Sequence, residues 1–305
     1  MTKRLVVAAL TLAIAVPLAA QPKGRSEPGK SRSEMRILGY YFDNFYYVTD
    51  PSAEEDVTGL GGELRAAYRP GPRPWEVFGH LGVTRYGDDR LADSFNARIG
   101  IAQDADVHDF TVFLDQAENR PSFEVGNTFA RADVTTLGGE YGWRFTSDWE
   151  VGAEATYQRQ RFDVETDRVN DYYAFGPSIR YRGFGWRIAP EAGLLFGKRD
   201  VRNEEESYES ADAYLQVAYM PPIPNDRLYV SLRYRDRDRE YTINDPLSRN
   251  FGREENRGDW TLLADLRTAE NVSWFAYFST ESVDSSVPAG DFEVGLLLVG
   301  LVIEF

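Results

Sequence analysis

Apolar and polar side chains alternate with a period of two along most of this chain, in segments of about ten or more residues separated by turn-forming or charged stretches. Fourteen such segments can be read, at roughly 35–48, 57–69, 74–86, 92–104, 107–117, 128–145, 149–162, 170–182, 185–199, 209–220, 226–240, 257–268, 272–281 and 290–305. The stretch Leu228 to Arg235 sets Leu228, Val230, Leu232 and Tyr234 on one face and Ser231, Arg233 and Arg235 on the other. Val151, Ala153, Ala155 and Tyr157 likewise oppose Glu150, Glu154, Thr156 and Gln158. The connections alternate too. Short ones are Pro70 to Pro74, Asp104 to Asp106, Thr146 to Asp148, Gly183 to Gly185, Pro221 to Asp226 and Ala269 to Asn271; acidic loops lie at Asp50 to Asp56, Asp163 to Asp171, Val201 to Glu209 and Tyr241 to Asp259. This rhythm predicts an all-β transmembrane antiparallel up-and-down barrel of about 14 strands, with both termini at the end that carries the short turns. A soluble β-sandwich or propeller is the alternative reading of short alternating strands.

The last segment, Val294 to Phe305, alternates Leu297, Val299, Leu301, Ile303 and Phe305 along one face. It resembles the C-terminal insertion signal of Gram-negative outer-membrane β-barrel proteins, which the barrel-assembly machinery reads. That resemblance implies the cell outer membrane as location, periplasmic termini, and outer-membrane lipid, lipopolysaccharide and the assembly machinery as partners. At the other end Lys3 and Arg4 precede the apolar run Leu5 to Val16, and Leu18-Ala-Ala20 stands before Gln21, which reads as a signal peptide over 1–20. The apolar run is shorter than the ~20 residues that span a bilayer as a helix. Residues 21–34 lack apolar periodicity and are expected to form a flexible periplasmic tail, leaving 35–305 as the barrel.

Charge and aromatics sharpen this picture. The formal charge of −15 excludes nucleic acid as a natural partner. Aromatic residues make up 14% of the chain, a share that suits a barrel ringed by Tyr, Trp and Phe at its membrane interfaces. Trp75, Trp143, Trp149, Trp186 and Trp274 lie within a few residues of short turns, where one aromatic girdle belongs, and Trp260 falls toward the other rim.

Because an ionised side chain facing lipid is costly, alternation assigns a set of charges to the lumen: Glu63, Arg65, Arg98, Asp109, Glu150, Glu154, Arg180, Arg182, Arg187, Glu191, Arg233, Arg235, Asp265 and Arg267. Two readings of this interior stand side by side. The arginines form a basic track for an anionic solute or polymer, or they pair with Glu150, Glu154, Glu191 and Asp265 into a network that holds the wall together. Fourteen strands predict an aqueous lumen narrower than that of 16-to-18-stranded porins.

Catalytic chemistry has little to stand on. The chain has no cysteine and two histidines, with no Gly-x-Ser-x-Gly elbow, phosphate loop or His-Glu-x-x-His site. His80 is expected mid-strand on the inward face and His108 beside a short turn. No cofactor or metal is implied, and the acidic clusters Glu54 to Asp56, Asp88-Asp89 and Glu204 to Glu206 read first as a solvated surface and second as cation ligands beside lipopolysaccharide.

In the C-terminal third, Leu232-Arg-Tyr-Arg-Asp-Arg-Asp-Arg-Glu-Tyr241, then Arg253 to Asp259, Ser282 to Ser286 and the Phe305 strand resemble the barrels behind tetratricopeptide repeats in surface lipoprotein assembly modulators and exopolysaccharide exporters. This chain departs from that pattern in having no helical repeats ahead of the barrel. The resemblance implies export or surface assembly, with a periplasmic repeat protein as a separate partner. The functional expectation is therefore a passage or assembly element for a surface-directed or anionic substrate such as a polysaccharide. A porin for small solutes and an outer-membrane lipase or protease are the alternatives.

Overall fold

In the computed structural model, described here for residues 31–43, 56–70, 75–88, 91–123, 129–162, 169–182, 187–201, 206–222, 228–248, 250–287 and 291–305, the chain forms a closed antiparallel barrel. Its fourteen strands are β1 (Ser31–Asp43), β2 (Val57–Tyr68), β3 (Trp75–Tyr86), β4 (Ser94–Asp104), β5 (His108–Phe123), β6 (Phe129–Arg144), β7 (Trp149–Phe162), β8 (Val169–Tyr181), β9 (Ile188–Val201), β10 (Tyr208–Tyr219), β11 (Leu228–Tyr241), β12 (Glu254–Ala269), β13 (Val272–Ser285) and β14 (Phe292–Glu304). Each strand pairs with its sequence neighbours, and β1 pairs with β14 to close the ring. The expected signal peptide at 1–20, residues 21–30 of the expected tail and Trp186 lie outside the described residues, as do parts of several loops.

An even number of antiparallel strands puts both termini at one end of the barrel, called here the terminal end, and the short connections share that end. The connections at the opposite, loop end include 242–253 between β11 and β12. Closure is made by the last residues: Met35 stands opposite Ile303, and the Phe305 N–H donates to the Ser33 carbonyl at 2.8 Å.

Among the boundaries that differ from the alternation pattern, three have a visible cause or consequence. β1 starts at Ser31, so 31–34 belong to the wall instead of the tail; Glu34 lies opposite both Arg65 and Glu304. β5 continues to Phe123 past a register shift between Ala117 and Arg120, where Asn119 takes a left-handed φ of 52°. Such a bulge absorbs residues that break the alternation while the ladder resumes beyond it. β12 begins at Glu254 and not near 257, because charged residues carry the alternation there: Glu255 and Arg257 point in, Glu254 and Asn256 out.

The outside is a lipid-facing surface. Every strand exposes at least one large apolar residue, with Leu60, Ile99, Phe175 and Leu215 each 60–70% exposed. An unbroken apolar belt around a closed wall is what a bilayer demands, since lipid offers no hydrogen-bond partners to an open sheet edge. The protein is thus a membrane-spanning β-barrel. Trp75, Trp143, Trp149 and Trp274 stand on this outer face near the terminal end, with Trp149 against Tyr181 at 4.9 Å; Trp260 packs on Tyr234 at 4.7 Å, closer to the loop end.

The belt generates a prediction. Leu297 lies midway along β14 on the lipid face, so Leu297→Arg should cost about 2–4 kcal/mol of folding free energy in lipid vesicles. Leu247→Arg, in the exposed connection at 93% exposure, should stay within ~0.5 kcal/mol of wild type. Equal effects in denaturant titrations would show that the belt has been misplaced.

Candidate functional site

Inward-facing side chains divide the lumen into two unlike halves. From β1 and β11 to β14 come Leu38, Tyr40, Tyr229, Leu263, Phe275, Tyr277, Leu296, Leu298 and Val302, all buried in one apolar cluster. Apolar side chains lining open water would be exposed; these are covered, so this half of the barrel is packed shut. A smaller cluster of Ala117, Ala132, Val134 and Phe162 closes part of the β5 to β7 wall near the loop end. The wall from β4 to β10, with the loop-end parts of β11 and β12, carries most of the charge.

Those charges are organised around shared carboxylates. Near the terminal end Glu150, almost fully buried, receives Arg182 at 2.6 Å, Arg180 at 3.1 Å and Arg144 at 3.2 Å. Arg144 also reaches Asp104 and Asp109, at 3.2 and 3.0 Å. Arg180 pairs in addition with Glu191, whose other oxygen accepts the Tyr214 hydroxyl at 2.9 Å. Near the loop end Glu255 is the hub: Arg257 at 2.7 Å, Arg253 and the Tyr241 hydroxyl bond to it, and Arg239 lies 3.9 Å away. Arg257 also holds Glu281 at 3.1 Å, while Asp212 takes both Arg235 and Arg237. Removing charges from bulk water is tolerable only with partners of this kind. The paired network is therefore what the wall displays, and Arg180 of β8 and Arg182 just beyond it are part of it.

Between these hubs lies a cavity of about 370 Å³, lined by residues of β4 to β11 including Thr111, Glu140, Glu154, Ser178, Gln216 and Arg233. Two of its charges stand outside the network. Arg233 makes no ion pair among the described residues; its guanidinium lies over the Tyr214 ring, 4.1 Å from the centroid. Glu154, opposite Glu140 in the β6–β7 ladder, makes none either. Glycine explains how the Tyr214 ring comes to lie flat: Gly193 is directly opposite it on β9, and a Cβ there would overlap the ring. The ring folded down onto the wall leaves the cavity open, and Arg233 rests on it.

Arg233 is the first of four arginines at alternating positions on β11. Arg233, Arg235, Arg237 and Arg239 share the inward face, so they form a file of roughly 20 Å at ~3.3 Å per residue, running from the cavity toward the loop end. Arg237 and Arg239 were not among the residues that alternation assigned to the lumen, because neutral and apolar positions no longer flank them: Asp236 and Asp238 occupy the outward face. Arg199, Arg253, Glu255 and Arg257 escaped for the same reason.

The other expected positions divide as follows. Arg65 pairs with Glu63 at 2.7 Å and Arg98 with Asp115 at 2.8 Å, both on the lumen wall. Asp265 faces inward near Arg36 and Ser273. Arg267 sits at the terminal mouth, half-exposed, on Glu304 at 3.0 Å. Arg187 is exposed in the turn just before β9, at the terminal mouth of the barrel. His80 accepts a hydrogen bond from Asn96 at 3.0 Å on the inward face, and His108 meets the Tyr141 hydroxyl at 2.7 Å on the outer face near the terminal end. Neither stands beside a serine or carboxylate in a triad geometry among these contacts.

No protein-family model and no curated protein matches the chain. Among solved structures it is similar to the loop-L8 deletion mutant of OmpT, an outer membrane protein of Vibrio cholerae, at 11% identity over 92% of this chain and 100% of that one, with a TM-score of 0.49. The outer membrane protein opdK from Pseudomonas aeruginosa gives 13% identity, 90% and 99% coverage and 0.45. A bacterial polysaccharide outer membrane secretin gives 12%, 90% and 97%, and 0.45. At this degree of similarity no substrate or activity transfers to the present chain.

The Glu150 hub predicts a large penalty for its loss. Glu150→Ala leaves Arg144, Arg180 and Arg182 facing one another with a partner removed, which should destabilise the barrel by about 3–5 kcal/mol in a denaturant titration. Glu76→Ala, on a partly exposed pair at 3.5 Å, should cost less than ~1 kcal/mol by the same measurement.

Proposed function

We propose that this barrel is a selective passage for small anionic, hydroxylated solutes, with acidic saccharides as the chemical type. The observation that supports it is the β11 arginine file, whose first member, Arg233, stands without a salt-bridge partner in the cavity. A guanidinium resting on an aromatic face keeps its N–H groups directed at whatever enters beside it. Tyrosine rings and hydroxyls accompany the file: Arg239 lies 4.4 Å from the Tyr208 ring centroid and Arg253 4.9 Å from that of Tyr241. Such stacked Arg–Tyr pairs suit a ligand that combines negative charge with hydroxyl groups.

The size of the space argues for small solutes over a polymer. At about 370 Å³ the cavity falls near the lower end of the ~300–1,000 Å³ that small-molecule sites occupy. The packed apolar half removes the rest of the lumen from use. Periplasmic termini would place the cavity on the periplasmic side and the upper arginines toward the cell surface, so a solute would meet Arg239 first and Arg233 last.

Planar-bilayer recording tests the reading. The wild-type barrel should show steady openings with a reversal potential displaced toward anions under a salt gradient, and Arg233→Gln should reduce that displacement at least by half. Gly193→Val, which forces the Tyr214 ring off the wall into the cavity, should lower single-channel conductance. An electrically silent barrel, or one that prefers cations, would remove the basis for an anion passage.

A further inference from the structure

Just inside the loop end, β8 to β11 bring Asn170, Arg199, Tyr208 and Arg239 onto one patch of the lumen wall. Tyr208 is opposite Arg199 in one ladder and opposite Tyr241 in the next, two residues from Arg239; Asn170 is opposite Val201, two residues from Arg199. The guanidiniums of Arg199 and Arg239 lie 5.9 and 4.4 Å from the Tyr208 ring centroid, so the two cations flank one ring. All four side chains are more than nine-tenths buried, Asn170 at 2% exposure.

Burial on this scale normally comes with every polar atom paired, and here it does not. Asn170 has no hydrogen bond at either Nδ2 or Oδ1; Nη2 of Arg199 and Nε of Arg239 have none. Each of the two cations has a carboxylate beside it only as a long ion pair, beyond hydrogen-bond length. Glu206 is 3.7 Å from Arg199, and Glu255, 3.9 Å from Arg239, already bonds Arg253 and Arg257. Three buried donors without acceptors, two of them cationic, share this patch with one buried amide oxygen without a donor.

We infer that this patch is a binding site for an oxyanion that carries a neighbouring hydroxyl group, as a sugar acid does. The anionic oxygens accept from Arg199, Arg239 and the Asn170 amide nitrogen, and the hydroxyl donates to the Asn170 Oδ1. A hydrogen-bonded guanidinium–oxyanion contact is among the stronger polar interactions, and an unpaired buried donor makes its formation more favourable still. The site deepens the passage reading and rests on it for the ligand's route of access; it is separate from the cavity at Arg233.

The test is calorimetric titration of the full-length barrel in detergent with D-glucuronate, inorganic sulfate and acetate, each at matched ionic strength. Glucuronate and sulfate should bind saturably and compete with each other, with acetate at least tenfold weaker than glucuronate. Asn170→Asp, which keeps the shape and adds a repelling charge, and Arg239→Gln should each weaken both ligands at least tenfold, with folding checked by heat-shifted gel mobility. Absence of saturable binding by wild type, absence of competition, or unchanged affinity in folded variants overturns the site. Where neither variant folds, the wild-type competition alone decides. Binding without anion selectivity in bilayers leaves the site and ends the passage reading; selectivity without binding does the opposite.

Discussion

Closure of the hydrogen-bond ladder between β1 and β14 is the constraint from which the rest follows. In lipid no water is present to satisfy a free strand edge, so a sheet in the membrane must end on itself. The ring closes through ten residue pairs from Glu34–Glu304 to Asp43–Gly295, and the Phe305 N–H on Ser33 adds the last bond. Once closed, the wall has only two faces. Every residue whose side chain lipid would reject has to point inward, and a chain with 83 charged side chains therefore sends a substantial set of them into a confined space (34 plus 49).

Confinement then decides how those charges behave. Single acids are shared: Glu150 among three arginines, Glu255 between Arg253 and Arg257, Asp212 between Arg235 and Arg237. Sharing keeps the wall rigid and leaves a remainder. The packed apolar half sharpens the effect, because Leu296, Leu298 and Phe275 occupy the lumen face that would otherwise hold water. Polar atoms that find no partner are thus concentrated along one side, from Arg233 in the cavity to Arg239 and Asn170 near the loop end.

How much of this could be read from the chain depended on what carried the alternation. Where leucine, valine and aromatics alternate with polar residues, as in β7, β11 up to Tyr234 and β14, strands and faces were legible, because lipid on one side imposes a period of two. Where charge alternates with charge, hydropathy is flat: Glu254 to Asn256 looked like loop, and Arg237-Asp-Arg239, although inside the segment read at 226–240, showed no face. The face of each residue there is set by cross-strand partners such as Asp212 and Glu281, which lie more than twenty residues away. Asn170 was wholly illegible. Its importance is the absence of a partner, and absence is a property of the assembled wall alone.

The position of the unpaired atoms relative to the hubs adds a final step. A hub arginine is held on more than one side and cannot leave its carboxylate without exposing a buried charge, so it cannot follow a moving ligand. Arg233 and Arg239 are each held mainly by an aromatic face, Tyr214 and Tyr208, which fixes the plane of the guanidinium while leaving edge N–H groups uncommitted. Two fixed cations between two with uncommitted N–H groups give a ligand places to bind that are separated by places it cannot disturb. For a passage this is a workable division of labour: Asp212 keeps Arg235 and Arg237 in the wall, and the two ends of the file remain to be occupied and vacated in turn.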